Sequence, residues 1–212
     1  RNTIYRTGRS GIDLTSLAHG HFSNVDIGYN DIFAFGLINT DLAAIYGNKA
    51  DMTGMRIHHN WLHDAANDTA HKFPVGAGIY LEHRAKGAQI DHNVFWNNHK
   101  NDVRIELSCL AYHMFYNNTL ASGGPDLWSS ILFWRGKDTC TVSHANIRNN
   151  IYRSAVQNHT PQNSEIASET DPLFVDPSAG GLGFRLKKGS PAIDHGIVIE
   201  GVTGNYKGDA PD

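Results

Sequence analysis

The feature that most constrains this chain is a short pattern: an apolar residue, an asparagine three positions later, and a second apolar residue two positions after that. It occurs five times, at Ile27-Asn30-Ile32, Ile57-Asn60-Leu62, Ile90-Asn93-Phe95, Phe115-Asn118-Leu120 and Ile147-Asn150-Tyr152. The successive asparagines are 30, 33, 25 and 32 residues apart. Such regular recurrence indicates a repeat architecture.

A second apolar pattern alternates with the first. It reads G-I-D-L at 11–14, A-I-Y at 44–46, G-I-Y-L at 78–81, R-I-E-L at 104–107 and I-L-F-W at 131–134. Aligning these segments on Ile12, Ile45, Ile79, Ile105 and Leu132 gives steps of 33, 34, 26 and 27 residues. Apolar alternation is typical of β-strands, and repeats of two or three short strands bury their apolar faces only by stacking. The sequence predicts an all-β, right-handed parallel β-helix of about five coils, with strands ~4.8 Å apart.

The coils are predicted to occupy residues 1–160, and the composition changes after them. Prolines recur from Pro161 onward, as in D-P-L-F-V-D-P at 171–177, and proline interrupts strand ladders. Residues 161–212 are therefore predicted to form an irregular segment that covers the C-terminal end of the stack or lies along one of its faces. Residues 1–10 read as part of a coil, which predicts an upstream segment of the same protein.

Composition narrows the range of partners. The net charge is −3, which argues against a nucleic-acid binder with a basic stripe. No apolar run approaches the ~18 residues that a membrane span requires. Cys109 and Cys140 are about one coil apart, so a disulfide between neighbouring coils and two buried thiols both remain open.

The repeated asparagines are predicted to be structural, forming a ladder of buried amides that bond backbone groups and each other. His59 and His92 each precede a ladder asparagine and would stack in neighbouring coils. A catalytic zinc site usually has three converging protein ligands, so two stacked imidazoles predict no metal site and no cofactor. Calcium would favour oxygen-rich places such as Asn67-Asp68 or Asp102.

Strand parity predicts a functional face, because successive residues of a strand point to opposite sides. If the isoleucines and leucines of the second pattern point inward, acids, arginines and aromatic residues share one outer face: Asp13, Tyr46, Tyr80, Glu82, Asp102, Arg104, Glu106, Phe133 and Arg135. Aromatic faces stack on sugars, and charged groups bind hydroxyl or carboxylate groups. Trp128, in a loop at 122–129, is either a further sugar platform or packed on its own coil.

The repeats resemble the pectin-lyase-like β-helix superfamily over residues 1–158. Residues 171–196, which include F-R-L-K-K-G-S-P-A-I-D-H-G, resemble the closing segment of secreted bacterial β-helix proteins of carbohydrate metabolism. T-D-L-A-A-I-Y-G at 40–47 and G-I-Y-L-E-H at 78–83 are similar to paired segments of glycoside hydrolase family 141, retaining enzymes that act on fucose- or xylose-containing glycans. The resemblance implies a secreted or periplasmic hydrolase of plant or algal polysaccharide, with paired acids at Asp41 and Glu82. The chain has Glu82-His83 where that family favours Asp-Asp.

Hydrolysis of a glycosidic bond requires two carboxyl groups, ~5–5.5 Å apart for retention and ~6.5–9.5 Å apart for inversion. The resemblance pairs Glu82 with Asp41. The predicted register pairs Glu82 with Glu106, at a Cα separation of roughly 8 Å, or with Asp102. The candidate substrate-binding residues are Tyr46, Tyr80, His83, Arg84, Asp102, Arg104, Trp128 and Arg135.

Two other functions fit the same residues. A polysaccharide lyase that cleaves beside a uronic acid would use His83, Arg84, Lys86 or Arg104 as its base, with calcium or arginine neutralising the carboxylate. A non-catalytic glycan-binding β-helix would have acids that do not converge. A polysaccharide or oligosaccharide is the predicted partner in every case.

Overall fold

The computed structural model describes residues 1–17, 20–39, 41–66, 75–106, 112–122, 129–134, 145–152, 156–157 and 171–212. These residues form three parallel sheets. Sheet 1 contains β1 (Thr3–Tyr5), β4 (Asp31–Phe33), β7 (Trp61–His63), β10 (Val94–Trp96), β13 (Thr119–Leu120) and β16 (Ile151–Tyr152). Sheet 2 contains β2 (Ile12–Thr15), β5 (Asp41–Asn48), β8 (Val75–Glu82), β11 (Asn101–Glu106), β14 (Ser129–Trp134) and β17 (Val156–Gln157). Sheet 3 contains β3 (Asp26–Gly28), β6 (Arg56–His58), β9 (Gln89–Asp91), β12 (Met114–Tyr116) and β15 (Asn146–Arg148).

The predicted parallel β-helix is confirmed. The first five coils each contribute one strand to each sheet, and the described residues of the last coil add β16 and β17; each strand pairs in parallel with its equivalent in the next coil. Most strands of sheets 1 and 3 have three residues, of which the central one faces inward. These central residues form columns such as Ile27, Ile57, Ile90, Phe115 and Ile147, and the columns of all three sheets meet in one continuous core.

The asparagine ladder is also confirmed. The Oδ1 atom of each ladder asparagine accepts bonds from the backbone N–H and the Nδ2 of the asparagine one coil earlier, at 2.9–3.1 Å in the buried pairs. Asn2 extends the ladder to a sixth member by donating to Asn30. The residue before each of the other five has a left-handed φ of 52–58°, so the same tight turn recurs in every coil.

The register of sheet 2 differs from the prediction after β8. Ile12, Ile45 and Ile79 are aligned as predicted. Ile79 then pairs with Val103 instead of Ile105, and Ile105 pairs with Phe133 instead of Leu132. The first of these shifts, by two residues, keeps every side chain on the same face, so alternation alone does not exclude it. The continuous apolar run I-L-F-W carries no alternation at all, and its predicted outward residue Phe133 pairs with the inward Ile105.

The C-terminal segment lies along the outer face of sheet 1, one of its two predicted placements. Its 3₁₀ helix, Pro177–Phe184, follows an Asp176 side chain that accepts from the N–H of Ser178. Phe174, Phe184 and Ala192 form a second apolar cluster with residues of β16 and the end of β13. The Phe184 ring lies 5.6 Å from that of Trp96. The predicted boundary at residue 160 lies outside the described residues. No helix in the described ranges is long and apolar enough to cross a membrane.

The C-terminal segment packs closely against Trp61, so we expect a larger side chain at Gly181 to destabilise the protein. A Cβ atom added there would lie 2.4 Å from Cε2 of Trp61. We expect Gly181→Ala to lower the free energy of unfolding by about 1–3 kcal/mol, as overpacking usually does. Gly204→Ala is the matched control, because a Cβ at Gly204 meets no atom within 4 Å. Urea unfolding of both variants tests the prediction, and equal midpoints would contradict it.

Candidate functional site

The long strands of sheet 2 break the alternation of inward and outward residues, which changes the direction of the side chains along their outer face. In β5 both Ala44 and Ile45 belong to the core, which breaks the alternation of faces. In β8 a Cβ at Gly78 would meet core Phe95 at 2.4 Å, so Gly78 and Ile79 also both face inward. The outer residues on either side of the break pack together in a cluster of their own, formed by Ala43, Tyr46, Ala77 and Tyr80. We call this surface, with Asp41, Glu82, Arg104 and Glu106, the acid groove.

The two glutamates of the acid groove are neighbours. Arg104 pairs with Tyr80 and Ile105 with Leu81, and continuing the ladder by one residue sets Glu106 beside Glu82. The backbone N–H of His83 donates to Oε2 of Glu106 at 2.7 Å. Nδ1 of the His83 side chain lies 3.3 Å from Oε1 of Glu82 and 3.8 Å from Oε2 of Glu106. One ligand atom from each of the three side chains lies within 4.8 Å of the other two. The predicted Cα separation of roughly 8 Å was wrong, because the register sets Glu106 directly beside Glu82 and not two residues further along.

Hydrogen-bond donors converge on Glu82. The hydroxyl group of Tyr46 donates to Oε1 of Glu82, and Nδ2 of Asn48 donates to the same oxygen at 3.2 Å. Burial, followed by the interaction with Glu82, raises the pKa of both Tyr46 and Tyr80 above the ordinary value, so both phenols stay protonated. The side chain of Glu82 is 8% exposed and that of Glu106 is 19% exposed. Glu82 is thus the more buried of the two acids, and Glu106 is the more accessible to solvent.

Arginines cover both tyrosines. The guanidinium carbon of Arg104 lies 5.1 Å from the centre of the Tyr80 ring, and that of Arg9 lies 4.6 Å from the centre of the Tyr46 ring. Arg9 also donates to Asp13 at 2.9 Å. Tyr46, Tyr80 and Arg104 thus lie on the predicted outer face, but they are only 2–8% exposed because they cover one another.

Asp41, at the start of β5, lies within electrostatic range of Glu82. The residue as a whole is exposed, but partial desolvation of its carboxyl group raises its pKa, and the negative charge of Glu82 raises it further. Arg104, Arg9 and His83 act in the opposite direction. In a strand with unbroken alternation these groups would be too far apart to interact, so the break in β5 brings them together.

The predicted outward position of Asp102 is wrong. Asp102 belongs to the same register column as Ala44 and Gly78, which faces the core, and it is fully buried. Its carboxylate accepts from Ser122 N at 3.2 Å and from Asn98 Nδ2 at 3.1 Å. Burial raises its pKa to about 6 despite these donors. Asp102 therefore belongs to the interior and is not a groove residue.

A buried carboxyl group of this kind links stability to pH. Its folded-state pKa lies above its value of 3.8 in the unfolded chain, so the unfolded state loses the proton first as pH rises. The contribution of Asp102 to the free energy of unfolding is fully present below pH 3.8 and is lost as pH rises through 6. The total loss is about 3 kcal/mol. We expect Asp102→Asn to remove this loss, as measured by chemical unfolding at pH 4 and pH 7. Asp13→Asn, on the surface, is the control, and identical pH dependence in wild type and Asp102→Asn would contradict the prediction.

Other predicted residues take different positions. Arg84 is exposed in the turn after β8, with a φ of 69°. Lys86 pairs with Asp51 at 3.1 Å. Several predictions fall outside the described residues: Trp128, Arg135, the calcium loop Asn67-Asp68, and the pairing of Cys109 with Cys140.

Sequence reasoning missed two residues of the site. Asn48 is in register with Glu82 and follows Tyr46 by two positions, so the alternation rule would have found it. Arg9 precedes β2, and no sequence pattern connects it with Tyr46. The chain matches no family model, no curated protein and no solved structure.

Proposed function

We propose that this protein is a retaining glycoside hydrolase that acts on plant or algal polysaccharide. One observation carries the proposal: the carboxyl groups of Glu82 and Glu106 lie side by side in a groove and share the neighbouring His83. Ligand atoms of these three residues lie within 4.8 Å of one another. That upper limit lies below the ~6.5–9.5 Å that admits a water molecule for inversion and near the ~5–5.5 Å of retaining glycosidases.

The surroundings of the two acids support different roles. Glu82 accepts bonds from Tyr46 and Asn48, which fix its orientation and satisfy a carboxylate. A fixed, buried carboxylate suits the nucleophile that attacks the anomeric carbon. Glu106 is more exposed, so its carboxyl group can exchange protons with solvent as the acid and base of the two steps. His83 adjoins both acids and would orient Glu106 through its backbone N–H.

The remainder of the acid groove suits a sugar. Arg84 and Asp41 are exposed and offer charged groups for hydroxyl binding, whereas the rings of Tyr46 and Tyr80 are buried beneath Arg9 and Arg104. The resemblance in residues 40–83 favours fucose- or xylose-type glycans and a secreted or periplasmic location. These assignments belong to the proposal, together with a catalytic role for Asp41 as a third acid.

A polysaccharide panel tests the proposal. The chain is incubated with fucose-containing, xylose-containing and uronic-acid polysaccharides, and two products are measured. We expect new reducing ends without ultraviolet absorbance. An unsaturated product that absorbs in the ultraviolet would instead identify a lyase. Binding without either product would identify a non-catalytic glycan-binding protein.

A further inference from the structure

A second groove, of about 500 Å³, lies at the corner between sheets 3 and 1. Its wall contains Tyr29, His59 and His92, which all precede ladder asparagines. Trp61 of sheet 1 and Leu182 of the C-terminal segment line the other sides. The groove is on a different face from the acid groove and has the volume of an ordinary ligand site.

The rings in the wall form a column. His59 stacks on Tyr29 at 4.8 Å and on His92 at 4.8 Å, with interplanar angles of 23° and 9°. The stacking follows from the fold, because each residue occupies the same left-handed position of the tight turn in successive coils. Equivalent atoms of the two imidazoles therefore face the same way.

Hydrogen bonds fix the tautomer of His59. Nε2 of His58 lies 3.0 Å from both carboxylate oxygens of Asp26, so it carries the proton. In neutral His58, Nδ1 is then an acceptor, and Nδ1 of His59, 2.8 Å away, donates to it. That leaves Nε2 of His59 unprotonated.

A second carboxylate fixes the tautomer of His92 in the same way. Nδ1 of His92 lies 2.9 Å from Oδ2 of Asp91 and donates to it. Asp91 is fully buried and also accepts from Arg56 at 2.6 and 2.8 Å and from Gln89 at 2.8 Å. A ring nitrogen held by a carboxylate is the usual arrangement behind a metal-binding histidine. In neutral His92, Nε2 is therefore unprotonated and faces Asn117 Nδ2 as an acceptor.

Asn117 supplies a third group. Its Nδ2 lies 3.1 Å from Nε2 of His92, while its buried Oδ1 has no hydrogen-bond partner in the described part of the chain. Rotation of the amide would place that oxygen next to the same nitrogen. The amide oxygen then points to the position that both imidazoles face.

We propose that His59 and His92 bind a divalent transition-metal ion through their Nε2 atoms, with the Asn117 amide oxygen as a further ligand. Imidazole nitrogens suit zinc, copper and nickel. The ring centres are 4.8 Å apart, so a modest tilt of the rings brings both nitrogens to the ~2.0–2.1 Å of a zinc–nitrogen bond. The adjoining groove leaves room for water or an exogenous ligand on the open side of the ion. The proposal does not depend on hydrolytic activity.

Isothermal titration of the full chain with Zn²⁺ alone tests the inference. We expect one ion per chain, and we expect His59→Asn and His92→Asn each to raise the dissociation constant at least tenfold. Asparagine tolerates the left-handed φ at both positions, and circular dichroism verifies the fold. His21→Asn, which changes an exposed histidine, is expected to leave the constant unchanged. Excess Ca²⁺, which prefers oxygen ligands, is expected not to compete.

Two results would overturn the proposal. The first is the absence of saturable Zn²⁺ binding, or its persistence in the folded double variant of His59 and His92. The second is loss of binding in Glu106→Gln, since Glu82, His83 and Glu106 form the other metal-capable cluster of the described residues.

Discussion

Glu82→Gln is expected to fold normally and to lower the hydrolytic kcat by at least about 10³-fold on the substrate that the panel identifies. The amide keeps the shape of the side chain but is a poor nucleophile, and loss of a covalent step or of acid–base catalysis usually costs this much. Glu106→Gln is expected to show a comparable loss, because the glycosyl intermediate neither forms nor breaks down readily without its acid and base. Reducing-end release under saturating substrate measures both losses.

Glu200→Gln is the matched control, because Glu200 is an exposed glutamate of the C-terminal segment. Azide separates the two roles. An added anion can occupy the space left by a missing nucleophile, so Glu82→Ala with azide should give a glycosyl azide of inverted configuration, whereas Glu106→Ala should give the retained one. Wild-type turnover by the folded Glu82→Gln variant would exclude the proposed mechanism. If Asp41→Asn alone abolished turnover and Glu106→Gln did not, the acid pair would be Asp41 and Glu82.

The fold was predictable because its signal is periodic and local. An asparagine that must bond its counterparts one coil away recurs in every coil, as do the apolar residues on either side of it. The pattern around Asn30 illustrates this. Asn30 belongs to the ladder, and the apolar residues Ile27 and Ile32 belong to the inward columns of sheets 3 and 1. The inward columns of β2, β5 and β8 were predicted for the same reason.

The site was harder to predict because it depends on register and on a break in alternation, neither of which a regular pattern reports. A slip of two residues leaves Arg104 and Glu106 on the correct face but moves Glu106 from a diagonal position to one beside Glu82. The break at Ala44 depends on two successive inward residues, and it brings Asp41 and Arg9 toward the tyrosines. The same break turns Asp102 into the core, where strict alternation would have placed it outside.

Asn93→Ala is expected to lower the free energy of unfolding by about 3–6 kcal/mol. Asn93 is fully buried near the middle of the ladder. Its Oδ1 accepts from the backbone N–H and Nδ2 of Asn60, and its Nδ2 donates to Asn118 Oδ1 and to the carbonyl of Ile57. Alanine leaves several of these groups buried without partners, and each such group costs about 1–3 kcal/mol.

Asn2→Ala is the control within the same ladder. Asn2 is exposed, and its side chain donates only to Asn30 in the described structure, so we expect a loss of about 1 kcal/mol or less. Thermal and urea unfolding of both variants give the comparison, and equal losses would mean that the ladder does not hold the coils in register. The ladder turn at Asn93 lies between β8 and β11, the strands that carry Glu82 and Glu106. At temperatures where the Asn93→Ala variant is still folded, we therefore expect it to lose hydrolytic activity only if the register between β8 and β11 has changed.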